Sequence, residues 1–277
     1  MGKLLFFDID GTLVGFDGKM PESAVKGLKE AQKNGHKVFL CTGRSYNQIY
    51  PFLLDFGFDG IVGAAGAYVE YEGKELFHST FNEEQFKQVM RCFEGTQGAM
   101  ICQAKDICLS ADCYEPQFVR AFSSKWDISS IKDIDTFHAL IMDNDLSVYP
   151  EKYRNQVECI IYCESAYTVE EMQKMVSGDI HVEMASYKTP EPYSGEITLT
   201  KNSKQTGIEK ILDYLGKGKE DVIAFGDGAN DMEMLDFAGI SVVMGNAREE
   251  IKEHGDYITT NVDQDGIYNA LKHYHLI

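Results

Sequence analysis

The sequence predicts an α/β fold: a doubly wound, largely parallel sheet interrupted by an inserted α+β unit. Three observations predict it. Strand and helix patterns alternate over roughly the first and last eighty of the 277 residues, as parallel strands covered on both faces require. Four polar motifs each follow an apolar run, so they fall at the carboxyl ends of strands, where open α/β sheets bind ligands. Residues 83–189 read differently, as strands pairing locally with helices. The expected organisation is a discontinuous core, 1–82 and 190–277, with a second domain at 83–189.

The elements follow in order. Apolar residues 3–8 make the first strand. A helix near 21–34 is opened by Pro21, whose missing N–H is harmless in a first turn, and closed by Gly35. A strand at 37–42, a helix near 45–56 and a short strand at 60–64 continue the alternation. Residues 67–80 alternate apolar and polar around Glu72-Gly73-Lys74, a hairpin pattern. The insert reads as helix 83–94, strands 98–103 and 106–110, helix 115–124, strand 157–163, helix 168–177 and strands from 180. Linkers stand at 79–83 and at Thr189-Pro190-Glu191-Pro192-Tyr193-Ser194, whose prolines suit a hinge. The core resumes with helix 204–215, strand 221–226, helix 230–237, strand 240–243, helix 247–254 and a closing helix at 263–273.

The first motif, Asp8-Ile9-Asp10-Gly11-Thr12, ends the first strand. Side chains alternate along a strand, so Asp8 and Asp10 leave on one face. Gly11 permits a sharp turn behind them. Four fixed letters at about 6% each recur by chance roughly once in 10⁵ positions. Two carboxylates about 4 Å apart repel by roughly 4 kcal/mol in a partly screened site, so a cation or a shared proton is needed. Mg²⁺ suits them, since it takes one or two carboxylates plus substrate phosphate. A calcium loop starting at Asp8 fails, with Leu13 where glycine belongs and Lys19 where glutamate belongs.

The other motifs supply partners. Gly226-Asp227-Gly228-Ala229-Asn230-Asp231 ends a second apolar strand and adds two more carboxylates, with an amide at Asn230. Thr42-Gly43-Arg44 ends a third strand, where a hydroxyl and following backbone N–H groups can hold a phosphate oxygen. Lys204, where a helix should start, offers the positive charge that several carboxylates and a phosphate dianion demand; Lys201 competes for that part.

These four segments, in this order, resemble the four motifs of the haloacid dehalogenase-like superfamily of phosphatases. The long insert between the second and third motifs and the form of the last resemble its Cof-type branch, with a Rossmann-like core and a class IIB cap. The resemblance implies Asp8 as nucleophile and Mg²⁺ ligand. It implies Asp10 as general acid and base, binding the metal through its backbone carbonyl. Asp227 and Asp231 complete the implied metal set, Thr42 and Lys204 hold the phosphoryl group, and Gly43 and Asn230 touch the substrate. Branch members usually carry Asn-Gly-Ala where this chain has Ala64-Ala65-Gly66-Ala67, so Ala65 stands at the asparagine position.

The expected function is Mg²⁺-dependent hydrolysis of small phosphorylated metabolites, sugar phosphates foremost, through an aspartyl-phosphate. The alternatives are a phosphotransferase or mutase using the same intermediate, and a catalytically idle binding protein. A retaining glycosidase also needs two close carboxylates, but not Asp227, Lys204 and a phosphate cradle. The glycine loops of nucleotide and dinucleotide sites are absent from the sequence.

A net charge of −18 repels nucleic-acid backbones, so no nucleic-acid partner is expected. No apolar run approaches the ~18 residues of a membrane span, and the N-terminal apolar stretch is short for a signal peptide. Seven cysteines without a Cys-x-x-Cys pair suit reduced thiols, so a cytoplasmic location is expected, as a monomer or weak homodimer. A zinc site from Cys108, Cys113, Cys159 and Cys163 has spacings unlike common structural zinc.

Overall fold

The computed structural model describes residues 2–96, 98–110, 144–145, 155–184 and 193–277. Its strands are β1 (Leu4–Phe7), β2 (Lys37–Cys41), β3 (Gly60–Gly63), β4 (Tyr68–Tyr71), β5 (Lys74–His78), β6 (Ala99–Ala104) and β7 (Cys108–Ser110). Then follow β8 (Asn144–Asp145), β9 (Val157–Ser165), β10 (Ile180–Met184), β11 (Tyr193–Leu199), β12 (Val222–Gly226), β13 (Ile240–Val243) and β14 (Tyr257–Ile258). Contacts group the chain into two units: 1–43, 50–77 and 203–277, and 44–49 with 78–202. The expected domain boundary at 82/83 falls inside the second unit. Residues 189 and 190 lie outside the described residues, but 193–202, expected in the core, group with the second unit, where β11 pairs with β9 and β10.

The first unit is built on a sheet of order β14-β13-β12-β1-β2-β3-β4-β5. The pairs from β14 to β3 are parallel, and β3–β4 is antiparallel. This is the α/β architecture that the strand–helix alternation predicts. Every residue of β1 is buried, as expected of a strand covered on both faces. Its aromatics hold it from opposite sides. Phe6 stacks on Phe39 of β2 at 4.5 Å between ring centres, and Phe7 on Phe225 of β12 at 4.3 Å. The Phe6 face continues into Val62, Val222 and Ala224, and the helix Lys204–Leu215 adds Ile208, Ile211 and Leu212 to the same cluster.

Several expected helices are shorter than the sequence pattern suggests. Residues 45–56 split into a single 3₁₀ turn, Tyr46–Gln48, and one helical turn, Pro51–Leu54. Pro51 has no N–H to continue a helix and forces Tyr50 into an extended conformation (φ −54°, ψ 131°). The helix expected at 247–254 is reduced to Glu249–Lys252, and the closing helix spans Gly266–His273.

The second unit carries a sheet of order β10-β11-β9-β6-β7-β8, antiparallel except for β7–β8. Its helices Glu83–Arg91 and Val169–Met175 both start in capping boxes, Asn82 with Gln85 and Thr168 with Glu171. Phe86, Val89, Met172, Ile160, Tyr162 and Ile197 share its core. The helix expected at 115–124 and linker residues 189–192 lie outside the described residues.

Candidate active site

Three strand ends and one helix start build the site, all within the first unit. Asp8 directly follows β1, and its N–H donates to the Phe225 carbonyl of β12 at 3.0 Å. Asp227 directly follows β12. The parallel register, Phe7 beside Phe225, therefore brings the two aspartates to neighbouring strand ends. Thr42 directly follows β2 on the other flank and is buried, with its N–H bonded to the Val62 carbonyl at 2.8 Å.

Lys204 is the first residue of its helix. Ser203 caps that helix, its Oγ accepting from the Thr206 N–H at 3.2 Å while its own N–H donates to Thr206 Oγ1 at 2.9 Å. The cap and the apolar face of the helix together fix where the lysine points. Lys204 is only 2% exposed, and its Nζ donates to Asp8 Oδ1 at 2.7 Å and Asp231 Oδ1 at 2.6 Å. Lys201, its rival in the sequence, is exposed and precedes the cap.

Asp231 closes the second acidic loop on itself. Its Oδ2 accepts from the N–H groups of Asp227 and Gly228, each at 2.9 Å. Asp227 is gripped from the first loop, its Oδ1 accepting from Thr12 Oγ1 at 3.0 Å. Gly11 has φ +94°, and a Cβ there would lie 2.3 Å from Asp227 Oδ2. Only glycine lets the loops meet so closely.

Carboxylate oxygens of Asp8, Asp227 and Asp231 lie within 4.8 Å of one another, the one such His/Cys/Asp/Glu cluster among the described residues. Burial pushes the Asp8 carboxyl well above the usual range; Asp231, Asp227 and Asp10 push the same way, and Lys204 opposes them. Burial alone would pull Lys204 down, but Asp231 and Asp8 outweigh it and hold the ammonium charged. Four carboxylates thus face one ammonium, and the all-oxygen donor set fits a hard divalent cation.

Of the residues the sequence singles out, Asp8, Lys204, Asp227 and Asp231 are joined directly or through one another. Asp10 is half-buried and acts on Asp8 through its charge. Gly43 follows Thr42, and Asn230 sits half-buried in the turn Ala229–Asp231 beside Asp231. Sequence reasoning missed Asn246, whose Nδ2 lies 2.9 Å from the Gly11 carbonyl and 3.3 Å from Asp227 Oδ2. Its only signal was Gly245-Asn246 just after the strand at 240–243. The considered zinc ligands do not assemble among the described residues: Cys159 bonds Gln103, Cys108 bonds Asn47, and Cys113 lies outside them.

Residues 5–271 match the haloacid dehalogenase-like hydrolase family. The protein YkrA of Bacillus subtilis (strain 168) is 28% identical over 271 residues, covering 98% of this chain and 96% of that one. From the same organism, the 5-amino-6-(5-phospho-D-ribitylamino)uracil phosphatase YitU is 25% identical over 98% of this chain and 97% of its own. Among solved structures, the HAD subclass IIB sugar phosphatase BT4131 superposes with a TM-score of 0.79 at 27% identity, covering 99% of this chain and 100% of that one.

Proposed function

The chain belongs to the haloacid dehalogenase-like hydrolase family, a phosphatase by its relatives, and on that premise we propose a Mg²⁺-dependent phosphatase of small phosphorylated metabolites, sugar phosphates foremost. The observation that carries the reading is the buried contact of Lys204 with Asp8, set within the cluster of Asp8, Asp227 and Asp231 carboxylates.

Asp8 is assigned the nucleophile. One of its oxygens attacks phosphorus in line, the bond to the leaving alkoxide breaks, and an aspartyl-phosphate forms. Asp10 gives its proton to that alkoxide, then takes one from the water that attacks phosphorus and releases Asp8. Asp10 must be protonated for the first step. Lys204 and Thr42 hold phosphoryl oxygens, and Gly43 and Asn230 touch the substrate. Asp8, Asp227 and the Asp10 carbonyl would hold Mg²⁺, which when bound neutralises phosphoryl charge. Asp231 commits one oxygen to Lys204 and the other to two N–H groups, so we assign it to bracing that ligand set. The second unit is assigned the part of a cap that selects the leaving group.

Phosphate release across sugar phosphates, nucleotides, pyridoxal phosphate and flavin mononucleotide tests the reading. Release without an added acceptor, lost on chelation and restored by Mg²⁺, is expected. Release only with a second sugar present would point to a phosphotransferase. Full activity after exhaustive chelation would remove the metal from the reading.

A further inference from the structure

Asn246 ties three segments together. It stands three residues after β13, where Gly245 leaves no room for a side chain: a Cβ there would lie 2.6 Å from Asn261 Oδ1 and 2.9 Å from the Asn261 N. The orientation of the Asn246 amide is set by chemistry. The Val262 N–H can only donate, so the atom 2.9 Å from it is Oδ1. Nδ2 must then face the Gly11 carbonyl at 2.9 Å and Asp227 Oδ2 at 3.3 Å, and its two hydrogens serve one acceptor each.

Asp227 is consequently held by both oxygens, Oδ1 by Thr12 and Oδ2 by Asn246. That matters because its neighbours Asp8 and Asp231 repel it. A carboxylate held by one oxygen can rotate away from like charge, whereas one held by both cannot. Gly11, beside Asp10, is tied down by the same amide. Few side chains could do this. Aspartate lacks the donor, serine and threonine carry a single donor hydrogen, and glutamine is longer by one methylene.

We propose that Asn246 is a positioning residue that presets Asp227 and the Gly11 turn for a divalent cation, anchored in turn by the Val262 N–H. The proposal rests on the cation reading given above. Residues that orient a metal ligand typically change affinity by about 10–100-fold when lost.

The test is calorimetric titration of metal-free protein with Mg²⁺, read with the melting temperature in chelator. Three proteins are compared: wild type, Asn246→Ala, and Thr259→Val, which breaks a buried bond to the Gly266 carbonyl in the same C-terminal loop without touching Asp227. Asn246→Ala should weaken Mg²⁺ binding by about tenfold or more. Thr259→Val should lower the melting temperature and leave the affinity unchanged. An Asn246→Ala affinity equal to wild type overturns the proposal, as does equal weakening in both variants. A wild type that takes up no Mg²⁺ overturns the cation reading instead. If Asn246→Ala does not fold, Val262→Pro decides. It removes the anchoring N–H at the first position of the turn Val262–Gln264, which tolerates proline. Weakened Mg²⁺ binding supports the proposal, and wild-type affinity overturns it.

Discussion

Lys204 Nζ lies 2.7 Å from Asp8 Oδ1 in a pair whose side chains are 1% and 9% exposed. The lysine is the cation that lets buried acids share this space without metal. Lys204→Met should therefore cost the metal-free protein about 3–5 kcal/mol, the usual penalty for stripping one partner from a buried ion pair. The same change strengthens the attraction for a divalent ion, so stabilisation by Mg²⁺ should grow. Thermal unfolding in chelator and in Mg²⁺ checks both signs, and an unchanged metal-free melting temperature would contradict the charge balance drawn here.

Asp8→Asn separates chemistry from stability. The amide keeps the shape and can still accept from Lys204, yet it cannot form the acyl phosphate. Phosphate release should fall by about 10³-fold or more. The metal-free melting temperature should hold or rise, because one buried, mutually repelling carboxylate is gone. A beryllofluoride adduct should form on the wild type and not on the variant. Turnover near wild type would exclude covalent catalysis by Asp8.

Ala65 adopts φ 50°, ψ 39°, a left-handed conformation costly for a residue with a Cβ. Its N–H bonds the Thr42 carbonyl at 3.0 Å, and the neighbouring Gly66 packs so tightly that a Cβ there would lie 2.0 Å from the Ser203 carbonyl oxygen. The strained turn thus braces both Thr42 and the start of the Lys204 helix. Ala65→Gly should stabilise the protein by about 0.5–1 kcal/mol, read as a higher urea midpoint with an unchanged slope. A lower midpoint would mean that the methyl group contributes more by packing than the backbone loses by strain.

His36 accepts the Lys3 N–H on Nδ1 at 3.0 Å. Burial and nearby positive charge, Lys3 included, lower its pKa from the ordinary 6.5. The folded state then binds this proton less readily than the unfolded state. Its stabilising contribution is complete above about pH 6.5 and declines as pH falls from there through the folded value. His36→Gln should flatten the dependence of the urea midpoint on pH between about 7 and 5.5. A slope identical to wild type would assign it to other groups.

Much of the site was legible because its residues lie immediately beyond apolar strands. Asp8, Thr42 and Asp227 each follow β1, β2 or β12 directly, and parallel strands carry such residues to one edge of the sheet. Lys204 was readable as a helix start, and the Ser203 cap explains why it rather than Lys201 enters the site. The contact from Asn246 to Asp227 was not readable. It depends on how β13 and its following turn sit against β12, a tertiary relation that no spacing of letters encodes. The split at 45–56 was missed for a local reason: apolar periodicity continues through Pro51, while backbone hydrogen bonding does not.

The strand order has one more effect. β1 leads directly into Asp8, yet it is walled on one side by β2 and on the other by β12, residues 222–226. During synthesis its second wall is missing until most of the polypeptide has left the ribosome. Until then Leu4–Phe7 is an oily ribbon with one bare flank, the kind of surface that nascent-chain chaperones cover.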